Sequence, residues 1–163
     1  MKKLIVLFTL FSLACNTTAQ QEKQTQTEKK FEVEKSEQEW KSELSEMEFQ
    51  VLRKAATERA FSSSLNNIKK AGTFVCAACE NPLYKTKDKF NSGTGWPSFD
   101  RAIEGSLAYS SDRKLGYKRD EALCGKCGGH LGHIFEDGPR ETTGMRHCIN
   151  GVALKFVPDE EEK

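Results

Sequence analysis

The sequence predicts a mainly β fold, built from short antiparallel strands with short helices on the amino-terminal side. The first observation is a set of apolar residues that recur at three- and four-residue spacing between Ser36 and Ala56, an amphipathic helical pattern. The second is a change after Asn67 to short strand-like segments separated by Gly, Pro, Asn and Asp. The third is a duplicated Cys-x-x-Cys motif, which is typical of a metal site that joins distant strands.

Composition predicts one folded domain with extensions. The chain has 163 residues, of which 37% are hydrophobic, and it includes ten Phe, which is enough for one core. A domain of roughly 120 residues buries about two-thirds of the surface that its unfolded chain exposes. The net charge is +1 and both signs are interspersed, so no field of one sign attracts nucleic acid or an anionic membrane. We expect a monomer without a nucleic-acid partner.

The amino terminus has the layout of a secretory signal. An apolar run from Leu4 to Ala14 follows two lysines and is too short to span a bilayer, so we predict a signal peptide over 1–19. Leu13-Ala14-Cys15 resembles a lipoprotein signal ending at residue 14, although Ser12 stands where such signals usually have Leu. Cleavage after Thr17-Thr18-Ala19 would instead release a soluble protein. Both routes predict export to the bacterial cell envelope, either periplasmic or lipid-anchored at the membrane.

Three further regions follow the signal. Residues 20–36 are mostly Gln, Thr, Glu and Lys and predict a polar disordered linker. Residues 37–158 form the predicted domain, and 159–163 form a charged, frayed tail.

The domain begins with a helical segment. Its apolar positions are Trp40, Leu44, Met47, Val51, Leu52 and Ala55. Ser36 with Glu39, and Ser45 with Glu48, are both candidate capping boxes, so the pattern allows two short helices or one long one.

Four later segments have strand character: Thr73 to Cys76, Leu107 to Ser110, Met145 to Ile149 and Val152 to Val157. In the last of them Val152, Leu154 and Phe156 alternate with Ala153, Lys155 and Val157, which predicts a strand with one face on the core.

Two Cys-x-x-Cys pairs, Cys76 with Cys79 and Cys124 with Cys127, predict a structural metal site. Two such turns complete a tetrahedral four-sulfur site with no open position for substrate, and zinc is the commonest occupant of such a site. Iron could use the same ligands. Two disulfides, or one redox pair, are the competing interpretations for an exported protein.

One thiol, Cys148, remains when the four paired cysteines and Cys15 are set aside. In an extended segment Arg146, Cys148 and Asn150 share a face, which puts a guanidinium beside the sulfur and favours the nucleophilic thiolate. A buried core cysteine without chemistry is the alternative.

The three histidines of the chain, His130, His133 and His147, lie shortly before Cys148. The first two follow the second cysteine pair in a Gly-rich segment and are candidate proton carriers. Strand alternation turns His147 away from Cys148, so we exclude it from the catalytic set. Trp96, on a Gly- and Pro-rich loop, is either a pocket wall or a core residue.

From about Trp40 to Val157, the chain resembles the methionine-R-sulfoxide reductases, the MsrB family. The motifs that carry the resemblance are Cys76-x-x-Cys79, Ser92-Gly-Thr-Gly-Trp-Pro-Ser-Phe99, Cys124-x-x-Cys127, Gly129-His-Leu-Gly-His133, Asp137-Gly-Pro139 and Arg146-x-Cys-x-Asn150.

The resemblance implies two antiparallel sheets of the MsrB β-tent type with short N-terminal helices, and one zinc ion on Cys76, Cys79, Cys124 and Cys127. It implies that Cys148 attacks the sulfur of methionine sulfoxide, R epimer, in oxidised proteins or peptides and becomes a sulfenic acid. By position, His130, His133 and Asn150 would orient the substrate and water and assist the transfer of a proton to the departing oxygen. The methyl group of the substrate would be enclosed by Trp96 and Phe135, and the thiolate supported by Arg146.

One departure from the family is the residue at 94. Many members carry a recycling cysteine where this chain has Thr94, so an internal disulfide with Cys148 cannot form there. We expect a thioredoxin-like protein or another external thiol to regenerate Cys148.

Three other functions compete with the reductase. A zinc-stabilised peptide-binding module would use the Trp96 loop without chemistry, but it has no need of a thiol among proton carriers. A zinc ribbon that binds nucleic acid requires a stripe of basic residues, which this sequence lacks. A thiol-disulfide oxidoreductase would use one Cys-x-x-Cys pair as its redox centre and bind no zinc.

Overall fold

A computed structural model of the chain describes residues 30–113 and 116–160. The predicted signal peptide, its Cys15, most of the predicted linker and residues 161–163 of the predicted tail lie outside the described residues. Within the described ranges, no helix has the length and apolar character needed to cross a membrane. The described end of the predicted linker, 30–36, contacts the domain, since the Val33 N–H donates to the Lys126 carbonyl at 3.0 Å.

Two short helices open the domain, α1 (Glu37–Glu43) and α2 (Glu46–Lys54). Each begins at a complete capping box, Ser36 with Glu39 and Ser45 with Glu48, which satisfies N–H groups that have no partner inside the helix. Of the two arrangements that the pattern allowed, the structure has the two-helix one.

The break between the helices changes which residues of α2 are buried. Met47, which belongs to the apolar pattern of one continuous helix, is 52% exposed, whereas Phe49 is 1% exposed. The extended backbone at Leu44 starts α2 in a new direction, so the spacing from Trp40 does not continue through Met47.

The body of the domain consists of short strands and three 3-10 turns. The strands are β1 (Gly72–Cys76), β2 (Pro82–Lys85), β3 (Lys89–Phe90), β4 (Ser98–Phe99), β5 (Leu107–Asp112), β6 (Arg119–Cys124), β7 (His130–Phe135), β8 (Arg146–Ile149) and β9 (Leu154–Pro158). The 3-10 turns are Ser64–Asn67, Thr86–Asp88 and Gly151–Ala153.

These strands form two antiparallel sheets. The smaller sheet has the order β2-β1-β9, and the larger has the order β3-β4-β8-β7-β6-β5. All the pairings are antiparallel. The mainly β, two-sheet prediction is therefore confirmed.

The last strand begins later than the alternating pattern predicted. Val152 and Ala153 belong to the 3-10 turn Gly151–Ala153, and β9 starts at Leu154. Within β9 the predicted alternation holds, because Leu154 is buried and Lys155 is exposed. Ala153 is buried by the turn, although the pattern put it on the outer face.

Aromatic side chains join the two sheets. Tyr84 of β2 stacks on Phe99 of β4, with ring centroids 4.3 Å apart, and Phe74 of β1 meets the same ring edge-on at 5.0 Å. All three are fully buried. Each contributes roughly 1.5–3 kcal/mol by leaving water, and each ring pair adds about 1 kcal/mol.

His147 belongs to this aromatic core. It lies on β8 opposite Phe99, and its Nδ1 is 3.3 Å from the Tyr84 hydroxyl. The side chain is 7% exposed, and burial lowers the pKa of His147 to about 4. The imidazole is therefore neutral in the folded protein at neutral pH.

We predict that His147 makes the folded protein less stable in acid. An unfolded histidine has a pKa of about 6.5, so between that value and about 4 the unfolded chain binds the extra proton. The free energy of unfolding should then fall by about 3 kcal/mol as the pH drops through this window. Urea unfolding of the parent and of His147→Gln at about pH 7.5 and about pH 4.5 measures this. The variant should lose less stability than the parent between the two pH values, and equal losses would contradict the assignment.

Candidate active site

Cys148 lies in the middle of the larger sheet. Its strand, β8, pairs with β4 on one side and β7 on the other, and Cys148 stands opposite Ser98 and His133. A Cβ on Gly132 would come within 2.0 Å of the Cys148 carbonyl oxygen. Glycine at 132 therefore allows β7 to approach β8 at the position of the thiol.

The Cys148 side chain opens into a small cleft of about 130 Å³. This volume admits a group of a few heavy atoms, since one water molecule occupies about 30 Å³ of liquid. The cleft is lined by Thr57, Trp96, Arg119, Gly132, His133, Phe135, Cys148 and Asn150. Five residues predicted from the sequence meet here: Trp96, His133, Phe135, Cys148 and Asn150.

The other two predicted site residues contact this lining. The His130 ring lies 5.3 Å from the His133 ring, and the Arg146 guanidinium lies 4.4 Å above the Phe135 ring.

A bulge brings the two histidines to one face of β7. Residues three apart on a regular strand point to opposite faces. Between Ala122 and Leu123 the register of β6 and β7 shifts, so that Ala122 faces Gly132 while Leu123 faces His130. The extra residue, Leu131, places the His130 side chain on the same face of β7 as His133, so the two imidazole rings lie side by side.

Each histidine is held by a carboxylate from another strand of the larger sheet, Glu121 from the adjacent β6 and Asp112 from β5, which lies beyond β6. His130 Nδ1 is 2.6 Å from Glu121 Oε1, and His133 Nε2 is 2.6 Å from Asp112 Oδ2. A ring nitrogen that donates to a carboxylate carries the proton, so in the neutral ring the other nitrogen is the acceptor. His130 Nε2 is buried and has no hydrogen-bond partner in the described part of the chain.

Proton affinities in this cluster follow from burial and hydrogen bonding. The hydrogen bond from His130 lowers the pKa of Glu121, which keeps that group a carboxylate. Burial lowers the pKa of His133, against the opposing effect of its bond to Asp112. His133 is therefore neutral at neutral pH and can accept a proton.

The thiol itself is held in its protonated form. Burial raises the pKa of Cys148, and this outweighs the lowering effects of Thr94 and Arg146. The sequence predicted that the guanidinium would favour the thiolate. Its contribution has that sign, but the net shift is in the opposite direction because the thiol is largely withdrawn from water.

Arg146 is fixed by a carboxylate of its own. Its Nε and Nη2 donate to the two carboxylate oxygens of Asp137 at 2.8 and 2.9 Å. The same guanidinium covers the Phe135 ring. Arg146 therefore sets the position of one aromatic wall of the cleft as well as the charge near Cys148.

Glu58 connects the remaining parts of the cleft. Its N–H donates to Asn150 Oδ1 at 3.0 Å, and its carbonyl accepts the Trp96 indole N–H at 3.2 Å. Its carboxylate accepts the backbone N–H groups of Gly151 and Val152 at 2.6 and 2.9 Å. One residue of the loop after α2 thus fixes both the amide and the indole.

Sequence reasoning missed Thr57, Glu58, Asp112, Arg119 and Glu121. Arg119 and Glu121 are two apart on β6 and share a face, which strand alternation alone could have indicated. Asp112 is placed by the pairing of β5 with β6, where it stands opposite Arg119 and bonds it at 2.8 Å. No signal local to that segment reveals this partner.

The four paired cysteines form a separate cluster at the end of β1 and β6. Sγ of Cys76 lies 3.8 Å from Sγ of Cys127, and Sγ of Cys79 lies 3.5 Å from Sγ of Cys124. All four sulfur atoms lie within 4.8 Å of one another, and none is in a disulfide. Tetrahedral bonds of about 2.3 Å to one ion require sulfur separations of about 3.8 Å. The cluster therefore fits one metal ion.

Basic and amide groups surround this cluster. Arg53 of α2 donates to Cys127 Sγ at 3.1 Å and to the Cys127 carbonyl at 3.0 Å. The Asn81 amide lies 3.6 Å from Cys124 Sγ. Such donors stabilise the negative charge of thiolate ligands.

Comparison with known proteins agrees with this geometry. A model of the SelR domain matches residues 44–158. The peptide methionine sulfoxide reductase MsrB of Leptospira interrogans is 47% identical over 127 residues, which cover 77% of this chain and 96% of that protein. The MsrB of Bradyrhizobium diazoefficiens is 50% identical over 125 residues, covering 76% and 89%. That of Methanosarcina mazei is 48% identical over 130 residues, covering 79% and 92%. The chain therefore belongs to the SelR-domain family, that of the peptide methionine sulfoxide reductases MsrB.

Proposed function

We propose that this protein reduces methionine sulfoxide in other proteins to methionine, that it acts on the R epimer, and that Cys148 is the nucleophile. The observation that carries the proposal is the Cys148 thiol in a small cleft with two aromatic walls and a neutral histidine. The names of the relatives support the reaction class.

The cleft accounts for how a methyl sulfoxide is held. Trp96 and Phe135 offer apolar surface to the methyl group, and Phe135 is held in place by Arg146. The Thr57 hydroxyl, the Asn150 amide and the Arg119 guanidinium are groups in the lining that can donate to the sulfoxide oxygen. The Asn150 amide has two N–H groups, of which one donates to the Leu131 carbonyl at 2.9 Å. The apolar walls can contact both the sulfoxide and the thioether product. The donors favour binding of the sulfoxide, because only the sulfoxide has an oxygen that accepts a hydrogen bond.

Proton transfer accompanies the attack by sulfur. Because burial keeps Cys148 protonated, its proton must leave as the thiol sulfur bonds to the substrate sulfur. His133, neutral and directly opposite on β7, accepts that proton and returns it to the departing sulfoxide oxygen. His130 and its Glu121 carboxylate lie behind His133 and steady its orientation.

The first half of the reaction, in which Cys148 reduces the sulfoxide, requires no other reagent. The oxygen leaves the substrate sulfur and bonds to the Cys148 sulfur as the bond between the two sulfur atoms breaks, so a thiol and a sulfoxide give a sulfenic acid on Cys148 and the thioether, methionine. Cys148 is oxidised and the substrate sulfur is reduced. One external thiol then displaces water from the sulfenic acid to form a mixed disulfide, and a second thiol releases the Cys148 thiol. A thioredoxin-like protein or a small thiol can supply both.

The four-cysteine cluster holds zinc in this proposal. Cys76, Cys79, Cys124 and Cys127 leave no open coordination position, so a zinc ion there clamps the turns and stabilises the fold. The sulfur spacing and the donors from Arg53 and Asn81 support zinc rather than disulfides.

The cellular setting is also part of the proposal. The Lys2-Lys3 pair, the apolar run and the Cys15 motif support export, with or without a lipid anchor. Oxidised envelope proteins would then be the substrates, and the domain would act as a monomer.

The first prediction of the proposal concerns substrate and nucleophile. With dithiothreitol as reductant, the parent should consume the R epimer of a methionine sulfoxide peptide and leave the S epimer. Cys148→Ser should retain its fold and lose at least about a thousandfold in rate, because the nucleophile is gone. Chromatography of the resolved epimers measures both. If a folded parent turns over neither epimer, the peptide-binding module becomes the better account.

The second prediction concerns Thr94. Its hydroxyl lies 3.9 Å from the Cys148 sulfur, so a cysteine at 94 can reach that sulfur. After one turnover without reductant, the parent should lose one free thiol and bind a sulfenic acid reagent. Thr94→Cys should lose two thiols and bind none, and Thr94→Ser is the matched control. A parent that loses thiols in pairs would contradict regeneration by an external thiol.

The third prediction concerns the metal. The purified parent should contain zinc in a one-to-one ratio with the chain, and Cys79→Ser should bind it far more weakly. Removing the ion should lower the free energy of unfolding by several kcal/mol or unfold the domain. Cys148→Ser should keep the full zinc content, because that thiol is outside the cluster. Metal analysis and thermal unfolding measure this, and metal-free protein of unchanged stability would contradict a structural ion.

A further inference from the structure

A second and larger depression adjoins the Cys148 cleft. It has a volume of about 580 Å³. We call it the lysine groove and define it by Phe61, Asn66, Ile68, Lys69, Lys89 and Trp96. None of the residues that line it in the described part of the chain carries a carboxylate.

Trp96 is the wall between the two depressions. It lines both the lysine groove and the Cys148 cleft. Its position is fixed by the hydrogen bond from its indole N–H to the Glu58 carbonyl. A polypeptide whose methionine sulfoxide enters the cleft therefore reaches the lysine groove with its adjacent residues, since an extended chain advances about 3.3 Å per residue.

Two ammonium groups give the groove its charge. Lys69 is exposed and makes no ion pair with any described residue. Lys89 is half-buried, and its Nζ donates to the Asn66 carbonyl at 2.6 Å. The pKa of Lys89 is lowered mainly by burial of its side chain and, to a smaller extent, by the positive charge of Lys69. A carboxylate between the two lysines would oppose both effects, because a nearby negative charge stabilises the ammonium form.

Phe61 offers an apolar contact at the edge of the groove. Its side chain is 72% exposed, and its backbone has a φ of 63°, which is uncommon for a residue with a bulky side chain. The conformation is held by a hydrogen bond from the Phe61 N–H to the Gly95 carbonyl at 2.7 Å. A Cβ on Gly95 would lie 2.9 Å from the Phe61 ring. The loop therefore presents a large apolar side chain to solvent beside Trp96, as an interaction site does.

We propose that the lysine groove binds the substrate polypeptide next to the oxidised methionine and selects substrates with acidic residues there. The proposal rests on the proposed function, because it assigns the part of the substrate that lies outside the Cys148 cleft. Lys69 and Lys89 bind the carboxylates, and Phe61 and Trp96 pack against the peptide between them. The cleft then determines the reaction and the groove determines which proteins are repaired first.

The test compares peptides that differ only beside the methionine sulfoxide. One set has Glu, a second has Gln and a third has Lys, placed in turn on the amino and carboxyl sides. For the side that enters the groove, the parent should show kcat/KM about fivefold or more higher with Glu than with Gln, and lowest with Lys. Ionic strength near 1 M should remove most of the difference.

Variants separate the groove from general charge effects. Lys69→Glu should reverse the order of the Glu and Lys peptides, and because the side chain is exposed the fold should be unaffected. Lys89→Met should weaken the preference without reversing it. Lys155→Glu makes the same charge change on β9, whose residues do not line the groove, and should keep the preference of the parent.

Two outcomes would overturn the proposed role of the lysine groove. One is an equal kcat/KM for all three peptide types in the parent, and the other is an unchanged preference in Lys69→Glu. Binding of the same peptides to Cys148→Ser keeps the two proposals distinguishable. Preferential binding of the Glu peptide by this variant, with no turnover of any peptide by the parent, supports the groove and overturns the reductase. Equal binding of all the peptides by the variant, with normal turnover by the parent, overturns the groove alone.

Discussion

The four-cysteine cluster is the constraint on which the rest of this structure depends. Cys76 ends β1 in the smaller sheet and Cys124 ends β6 in the larger one, so the cluster joins the ends of two strands from different sheets. Cys127 is followed closely by His130, the first residue of β7. Arg53 extends the same connection to α2 and, through its contact with the Trp40 ring at 4.1 Å, to α1. The metal that we propose here therefore fixes the start of the strand that carries both histidines.

Around that fixed strand, carboxylates hold the polar side chains of the site in place. Three carboxylates, Glu121, Asp112 and Asp137, hold His130, His133 and Arg146, each by a short hydrogen bond. Groups held in this way lose little conformational freedom when a substrate binds. The Cys148 thiol differs from these groups, because it is partly buried and the Arg146 guanidinium is already paired with Asp137, so the thiol stays protonated. A resting thiol of this kind resists oxidation by other agents, since the thiolate is the reactive form.

Much of this architecture could be predicted from the sequence where the signal is local. The capping boxes at Ser36 and Ser45 and the two cysteine pairs have short spacings that carry their own physical meaning. The bulge at Leu131 has no such signal, because it depends on how β6 and β7 align. The roles of Asp112 and Glu58 likewise depend on contacts between residues far apart in the chain. The direction of the Cys148 pKa shift could not be predicted from the charge of Arg146 alone, because it is set mainly by the burial of the thiol.

In the proposed reaction, the oxygen lost by methionine sulfoxide is matched by oxidation of Cys148 and of no other residue. The most direct measurement is one turnover of the zinc-loaded protein with excess R sulfoxide and no reductant, followed by mass spectrometry of the peptides. We expect one methionine formed per chain and one sulfenic acid, trapped on Cys148, with the four clustered cysteines unmodified. Methionine formed while Cys148 stays a thiol, or oxidation of the four-cysteine cluster in its place, would show that Cys148 is not the nucleophile.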